Sequence, residues 1–199
     1  MNSENPDIMH FEAIPWCATY LNEPGIVCET TSSRFLKDNG EGLLFATTLN
    51  TPSTITALLT LYKPPTPQQR QQRQQKLPSP TSSPLVINEV MFLVSFGLAV
   101  GGYPGVCHGG IVATILDEVT SMLFPINRAH GAIPGGVAMT GHLNTKFLRP
   151  LKVPASYLCR GCVERVEGRK YFLHGTIEDG DGTILARAEA LYIILKENL

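Results

Sequence analysis

Residues 107–118 read CHGGIVATILDE, and this stretch decides the fold around which the rest of the sequence is interpreted. Ile111, Ile115 and Val119 recur every four residues, with further apolar side chains beside them. A stripe of this width is typical of a helix with one broad buried face. The pattern predicts a helix over about residues 109–124, with that face turned toward the core.

Two glycines and an aspartate stand out on this helix. Gly109 and Gly110 lie at its start, where backbone N–H groups lack partners within the helix and no side chain covers them. Such groups can polarise a carbonyl or hold an oxyanion. Asp117 has small, partly polar neighbours three and four residues away, so we expect its carboxylate to border a cleft. Gly110 and Asp117 stand roughly 10 Å apart along one helix, so one carbonyl cannot touch both. Two antiparallel copies of the helix across a twofold axis could bring them to one bond, which favours a dimer.

The segments on either side of this helix are strand-like. The stretch 54–62 is rich in β-branched residues, and the apolar stretch 90–106 is interpreted as a buried strand with its exit loop. Pro125 is expected to end the helix. Four strand-like segments separated by short turns follow it, at 137–148, 154–166, 170–179 and 183–195. The order predicts an α+β protein in which one antiparallel β-sheet wraps one long central helix.

The chain divides into an extension and one domain. Residues 1–44 form an N-terminal extension that we expect to pack on the domain, with one short helix within 10–22. Residues 45–199 form the domain itself. Its segment 63–84 holds six prolines, six glutamines and four basic residues without an acid. Such a composition cannot bury enough surface to order itself, so we predict a disordered insertion loop, with a docking tail for another protein as the alternative.

Composition limits the class of partner and the compartment. The formal net charge is −1, which gives no reason to expect nucleic acid or an anionic membrane as a partner. The five cysteines are odd in number and scattered, as expected of reduced thiols inside a cell. The start of the sequence shows neither an apolar leader nor an Arg-rich transit pattern, so a cytoplasmic location is expected.

The helix motif and the strands after it resemble one enzyme family. The His-Gly-Gly of residues 108–110 and Asp117, nine positions after the histidine, have the spacing of hotdog-fold acyl-CoA thioesterases of the 4-hydroxybenzoyl-CoA and phenylacetyl-CoA type. The stretches VAMTGHLNTKFLRP (137–150) and VEGRKYF (166–172) resemble segments that follow in that family. The resemblance covers about residues 45–195, and the Pro/Gln-rich insertion departs from it.

The resemblance implies a role for each residue of the motif. Asp117 would activate water or attack the thioester carbonyl. The Gly109 and Gly110 N–H groups would polarise that carbonyl, and His108 would shape the loop. Thr140 falls where this branch of the family places a catalytic threonine, and it would position water. The resemblance also implies a homodimer or a dimer of dimers with coenzyme A across the subunit interface, and no metal or redox cofactor.

Six further residues are candidate substrate-binding groups. In a regular strand, Thr140 shares a face with His142 and Asn144, which would form a polar row. Four cations lie in segments that approach coenzyme A in the family, and their charges suit its phosphates. These cations are Lys146, Arg149, Arg169 and Lys170.

Three other features are weighed against this assignment. Glu118 is a competing acid, but it points about 100° away from Asp117 on the helix, and we interpret it as an exposed salt-bridge partner. The CRGC segment (159–162) has metal-ligand spacing, but no second pair exists and its cysteines would face opposite sides of a strand, which disfavours zinc. Cys107 is disfavoured as a nucleophile with His108, because adjacent residues at a helix start rarely face one another.

The sequence therefore predicts a dimeric thioesterase that hydrolyses an acyl-CoA to a carboxylic acid and a free thiol. One alternative is a thioesterase that acts on acyl or polyketide chains bound to a carrier protein, where the basic insertion would meet an acidic carrier. The other is an acyl-CoA-binding protein that keeps the fold without turnover.

Overall fold

The computed structural model describes residues 5–68, 85–133 and 135–195. Its α-helices are α1 (Pro6–Glu12), α2 (Pro15–Leu21), α3 (Gly109–Ser121) and α4 (Leu123–Ala129). Its strands are β1 (Val27–Thr30), β2 (Ile55–Tyr62), β3 (Glu89–Phe96), β4 (Gly101–Tyr103), β5 (Val106–Cys107), β6 (Ala138–Phe147), β7 (Ala155–Glu167), β8 (Lys170–Glu178) and β9 (Ile184–Ile194). Most of the Pro/Gln-rich insertion, residues 69–84, lies outside the described residues, so its predicted disorder stays a prediction.

One antiparallel sheet of seven strands packs around α3. The strand order is β1-β2-β3-β7-β8-β9-β6, and the small β4-β5 hairpin leads into the helix. Val112, Ile115, Leu116 and Val119 are buried against the strands, as the four-residue spacing predicted. The α+β class and the hotdog arrangement are therefore confirmed. The segment Gly109–Ala129 is long and apolar enough to cross a membrane, but half of its apolar window is buried in the fold, as in a core helix.

Two glycines let α3 lie close to the sheet. Gly161 in β7 and Gly175 in β8 are direct cross-strand partners. A Cβ atom at Gly161 would lie 2.6 Å from the Val119 carbonyl oxygen, and one at Gly175 would lie 3.1 Å from the Thr120 methyl group. The helix therefore rests on bare strand backbone at this point, which fixes the position of the turn that carries Asp117.

The end of the central helix differs from the prediction. α3 ends at Ser121, and α4 begins at Leu123 directly after it. Pro125 does not end the helix but lies in the first turn of α4, where its missing N–H group needs no partner. α4 continues to Ala129.

The N-terminal segment covers the other face of the sheet. Phe11 of α1 and Leu21 of α2 pack on side chains of β2, β3 and β7 that point away from α3. A short helix within 10–22 is present as α2, which ends at Leu21, but residues 10–12 belong to a separate helix, α1, and the chain breaks between the two at Ala13. Strand β1 also belongs to the sheet, since it pairs with β2. The proposed domain boundary between residues 44 and 45 stays a prediction.

Candidate active site at the face of the central helix

The Asp117 carboxylate lies where α3 passes β6 and β9. Its Oδ1 atom accepts a hydrogen bond of 3.0 Å from the Thr140 hydroxyl and one of 2.8 Å from the Tyr192 hydroxyl. Among the described residues no donor is assigned to Oδ2. Asp117 is partly buried and Thr140 is exposed, so the carboxylate faces an open side of the molecule. The structure thus brings together the predicted acid and the predicted threonine.

Tyr192 is a site residue that the sequence analysis missed. It lies on β9, 75 positions after Asp117, and no local motif connects the two. A signal does exist, because a tyrosine on the inward face of a strand needs a partner for its hydroxyl. Burial raises the pKa of the Tyr192 phenol, and the negative charge of Asp117 raises it further. The phenol therefore stays protonated and remains a donor at neutral pH.

The two predicted N–H donors at the start of α3 differ in whether the helix cap already uses them. His108 caps the helix, and its Nδ1 atom accepts a hydrogen bond of 2.9 Å from the Gly110 N–H. The ring therefore carries its proton on Nε2 when it makes this bond. No acceptor is assigned to the Gly109 N–H within the described part of the chain. Of the two glycines, Gly109 is the one whose N–H is available to a ligand, while the role predicted for Gly110 stays a prediction.

A groove of about 600 Å³ reaches this helix start. His108 and Gly109 line one side of it, and Phe147, Leu148 and Arg149 line the other. The Phe147 ring is so close that a Cβ atom at Gly109 would lie 3.4 Å from it. The groove is mainly apolar, and the exposed Arg149 is the one Lys or Arg among its described lining residues, which suits an elongated ligand that carries a negative group.

A β-bulge at Gly141 changes the predicted polar row. Thr140 pairs with Tyr192, whereas His142 pairs with Leu191, so Gly141 is the extra residue and the alternation of faces is reversed after it. Thr140 points toward α3. His142 and Asn144 point to the opposite face of the sheet, so the expectation that they share a face with Thr140 is wrong. Their substrate-binding roles stay predictions, but this chain does not bring them to its own Asp117.

The four predicted cations lie in three places. Arg149 lines the groove at the helix start, and its guanidinium is held by the Ile184 carbonyl at 3.1 Å. Lys146 lies on the outer face of β6, 4.0 Å from Glu189. Arg169 and Lys170 lie at the start of β8, beside the pair formed by Tyr171 and Tyr192. Of these four cations, Arg149 lines the groove that His108 and Gly109 also line.

Glu118 is not the exposed salt-bridge partner that we expected. It is partly buried, and no ion pair found among the described residues includes it. Burial raises the pKa of its carboxyl, while the Ser33 hydroxyl nearby opposes the rise. Glu118 is partly buried because the turn Ser32–Arg34 covers this side of α3. The Ser32 hydroxyl of this turn donates a hydrogen bond of 3.5 Å to the Met122 sulfur.

The cysteines are buried or partly buried. Burial raises the pKa of the Cys107 thiol to about 11, which disfavours a thiolate at neutral pH. Cys159 lies in the core beneath α3, while Cys162, three residues further along β7, belongs to the other side of the strand. No group of three or more His, Cys, Asp or Glu side chains suited to a metal ion occurs among the described residues.

Comparison with known proteins gives one family. A family model described as the thioesterase superfamily matches residues 104–186, which include the helix motif and most of the strands after it. The acyl-coenzyme A thioesterase THEM4 of Mus musculus is 37% identical over 100 residues, which cover 50% of this chain and 40% of the relative. The chain therefore spans less than half the length of THEM4.

Two further similarities extend over more of the related protein. Verlamelin biosynthesis protein B of a Lecanicillium species is 30% identical over 176 residues, which cover 77% of this chain and 72% of the relative. The solved structure of a candidate esterase from Mycobacterium tuberculosis matches with a TM-score of 0.50 at 17% identity, over 60% of this chain and 92% of the other. The second match supports the fold alone.

Proposed function

The chain belongs to the thioesterase superfamily, and we propose that it hydrolyses an acyl thioester to a carboxylic acid and a free thiol. One observation carries this proposal. The Asp117 carboxylate is held at Oδ1 by two hydroxyls, while Oδ2 accepts no hydrogen bond from the described residues. A carboxylate anchored by one oxygen is suited to act as a general base or as a nucleophile with the other.

The reaction needs few groups. As a base, Asp117 takes a proton from water, and the resulting hydroxide attacks the thioester carbonyl. The oxyanion that forms accepts a hydrogen bond from the Gly109 N–H at the positive end of a helix. The oxyanion then collapses, the C–S bond breaks, and the leaving thiolate takes up the proton that Asp117 removed from water. As a nucleophile, Asp117 attacks the carbonyl directly, and the C–S bond breaks to release the thiolate, which takes up a proton. Water then hydrolyses the acyl anhydride to the carboxylic acid and regenerates the Asp117 carboxylate. We propose that neither route requires a metal or a redox cofactor.

We propose that the active site forms between two copies of the chain. Gly109 and Asp117 are eight residues apart on one helix, which corresponds to about 12 Å, so one carbonyl cannot meet both within one protomer. β6 is an edge strand of the sheet with exposed apolar side chains, among them Met139 at 52% and Phe147 at 58% exposure. Pairing of two such edges would cover these side chains and place two α3 helices antiparallel. We therefore propose a homodimer, which exists alone or within a dimer of dimers.

We propose an acyl-CoA as the substrate. The name of the THEM4 relatives gives acyl-coenzyme A as their substrate class. In this chain the apolar groove beside Gly109 suits a thioester arm, and Arg149 at its rim suits a phosphate. The spacing of His108 to Asp117 supports placement within the 4-hydroxybenzoyl-CoA and phenylacetyl-CoA type. The scattered free cysteines support a cytoplasmic location for the reaction.

A second candidate is hydrolysis of an acyl chain held by a carrier protein. It is favoured by the basic insertion, which suits an acidic partner. Deletion of residues 69–84 separates the two candidates. Loss of activity on the carrier-bound thioester alone would favour the second candidate, and unchanged activity on both substrates would favour free acyl-CoA.

The decisive experiment measures thiol release from a panel of short, medium, long and aromatic acyl-CoAs. We expect turnover by the wild-type protein and a loss of about 100-fold or more in kcat for Asp117→Asn. Asp181→Asn, in the exposed turn before β9, is the matched control and should keep full activity. Full activity of Asp117→Asn would contradict the proposed role. Tight binding without release of thiol from any ester would instead support the non-catalytic alternative.

A further inference from the structure

We propose that Tyr192 is a positioning residue for the Asp117 carboxylate. Its hydroxyl fixes Oδ1 and so presents Oδ2 as the oxygen that meets water or the acyl carbon. This inference rests on the proposed function, since it assigns the orientation of the group that acts in it. It also identifies a contribution from β9, the last strand of the fold, which the helix motif does not contain.

The allocation of hydroxyl protons supports this role. The Tyr192 hydroxyl has one proton and three oxygens within reach: Asp117 Oδ1 at 2.8 Å, the Asp117 carbonyl at 2.8 Å and Thr120 Oγ1 at 2.9 Å. A hydrogen bond to a charged acceptor is stronger than one to a neutral oxygen, so the Tyr192 hydroxyl donates its hydrogen bond to the carboxylate. The Thr120 hydroxyl is only 2.8 Å from the Leu116 carbonyl and 3.0 Å from the Asp117 carbonyl, so it can satisfy either of them.

The packing around Tyr192 makes it a rigid donor. Its side chain is 1% exposed, and its ring packs against Phe124 with the centroids 5.1 Å apart. Tyr171 lies directly opposite on β8 and packs on the same phenylalanine at 5.2 Å. β9 itself lies between β8 and β6 inside the sheet. A donor held in this way limits rotation of the carboxylate at no further cost in side-chain entropy.

Thr140 completes the arrangement from the other side. Thr140 and Tyr192 are cross-strand partners in β6 and β9, so their hydroxyls lie at one register position on the face toward α3. Both donate to the same carboxylate oxygen. The bulge at Gly141 follows directly, and it allows β6 to present Thr140 inward while His142 points outward. Two donors on one oxygen leave the other oxygen for chemistry.

The test compares Tyr192→Phe with Tyr171→Phe in the full-length protein. Both variants keep the ring and its contact with Phe124, but only the first removes a donor to Asp117. We expect Tyr192→Phe to lower kcat by about 10-fold or more with little change in KM, because a hydrogen bond to a charged group is lost. Because the charged carboxylate loses a hydrogen-bond donor, the acidic limb of the plot of kcat/KM against pH should also move to higher pH. Tyr171→Phe should leave both measurements unchanged.

The outcomes separate this inference from the proposed function. A Tyr192→Phe enzyme with wild-type kcat and an unshifted acidic limb would overturn the positioning role, even if Asp117→Asn is inactive. An active Asp117→Asn enzyme would instead overturn the proposed function. If Tyr192→Phe does not fold, 3-fluorotyrosine at position 192 keeps the ring and makes the phenol a stronger donor. The acidic limb should then move to lower pH, and an unchanged limb would refute the role.

Discussion

At the scale of single residues, two hydroxyls donate hydrogen bonds to the same oxygen of the Asp117 carboxylate, but they differ in exposure. Tyr192 is buried and fixed by packing, whereas Thr140 is exposed on the open side of α3. The Thr140 hydroxyl is therefore the donor that water or substrate can reach. This asymmetry predicts different consequences for stability and for activity when each hydroxyl is removed.

Thr140→Val tests the exposed donor. The substitution keeps the shape of the side chain and removes its 3.0 Å hydrogen bond to Asp117 Oδ1, so we expect kcat to fall by about 10-fold while the unfolding midpoint changes little. Thr145→Val is the matched control, since Thr145 also points inward from β6 but its buried hydroxyl has no partner among the described residues. That variant should keep activity and be at least as stable as wild type.

The same pair of donors predicts a coupling. Because Thr140 and Tyr192 act on one oxygen, the double variant Thr140→Val with Tyr192→Phe should lose a different amount of activity from the sum of the single losses on a free-energy scale. Steady-state kinetics of the four proteins measures this coupling. Strict additivity would show that the two hydroxyls do not act through a shared group.

Glu118→Gln tests the burial of the neighbouring acid. Burial raises the pKa of Glu118 above the ordinary value of 4.5, so the unfolded chain loses this proton first as the pH rises. Stability therefore falls as the pH rises above 4.5, the penalty is complete once the pH exceeds the folded pKa, and it is absent in acid. We expect Glu118→Gln to raise the urea midpoint at pH 7 but not at pH 4. Glu164→Gln, at an exposed acid, should change neither, and an equal effect of Glu118→Gln at both pH values would contradict this account.

At the scale of elements, the position of α3 depends on the bare backbone at Gly161 and Gly175. Gly161→Ala would place a methyl group 2.6 Å from the Val119 carbonyl oxygen, which is backbone and cannot rotate away. We expect a loss of about 1–3 kcal/mol in the free energy of unfolding, measured by urea denaturation. Gly141→Ala is the control, because a Cβ atom there meets its nearest neighbours at 3.5 Å or more. Equal stability of Gly161→Ala and wild type would show that the helix is not seated on this strand.

The same elements show what a sequence can and cannot predict. The helix period gave the buried face of α3, and alternation with turns gave β6 to β9 nearly to the residue, because both patterns are local. The bulge at Gly141 was missed, since one extra residue in a strand leaves no mark on composition but reverses every face after it. Tyr192 was missed because its partner lies in another element, and only strand pairing brings the two together.

At the scale of the whole molecule, the two proposed catalytic groups, the Asp117 carboxylate and the Gly109 N–H, are too far apart along one helix to act on one bond. β6 is an edge strand of the sheet and Asp117 on α3 is only partly buried, which is why we propose that a second copy of the chain completes the site. In such a dimer, the acid of one copy acts with the helix start of the other. This arrangement makes a prediction about mixtures of inactive variants.

Gly109→Pro is suited to remove the second group without disturbing the helix. Gly109 is the first residue of α3, a position that favours proline because its N–H group has no partner in the helix. His108 before it already has an extended backbone (φ −64°, ψ 135°), as a residue before proline requires. We expect Gly109→Pro to fold and to lose about 100-fold in kcat, because it lacks the N–H group that donates a hydrogen bond to the developing oxyanion.

Mixing Gly109→Pro with Asp117→Asn then tests the shared site. In a mixed dimer, one site combines both defects, while the other combines the intact Asp117 of one copy with the intact Gly109 of the other. Half of the randomly assorted dimers are mixed, so activity should recover to about one quarter of the wild-type value. Each variant exchanged only with itself is the control and should stay inactive. No recovery on mixing, with mixed dimers demonstrated by two affinity tags, would mean that both groups act within one chain, and the antiparallel arrangement would have to be abandoned.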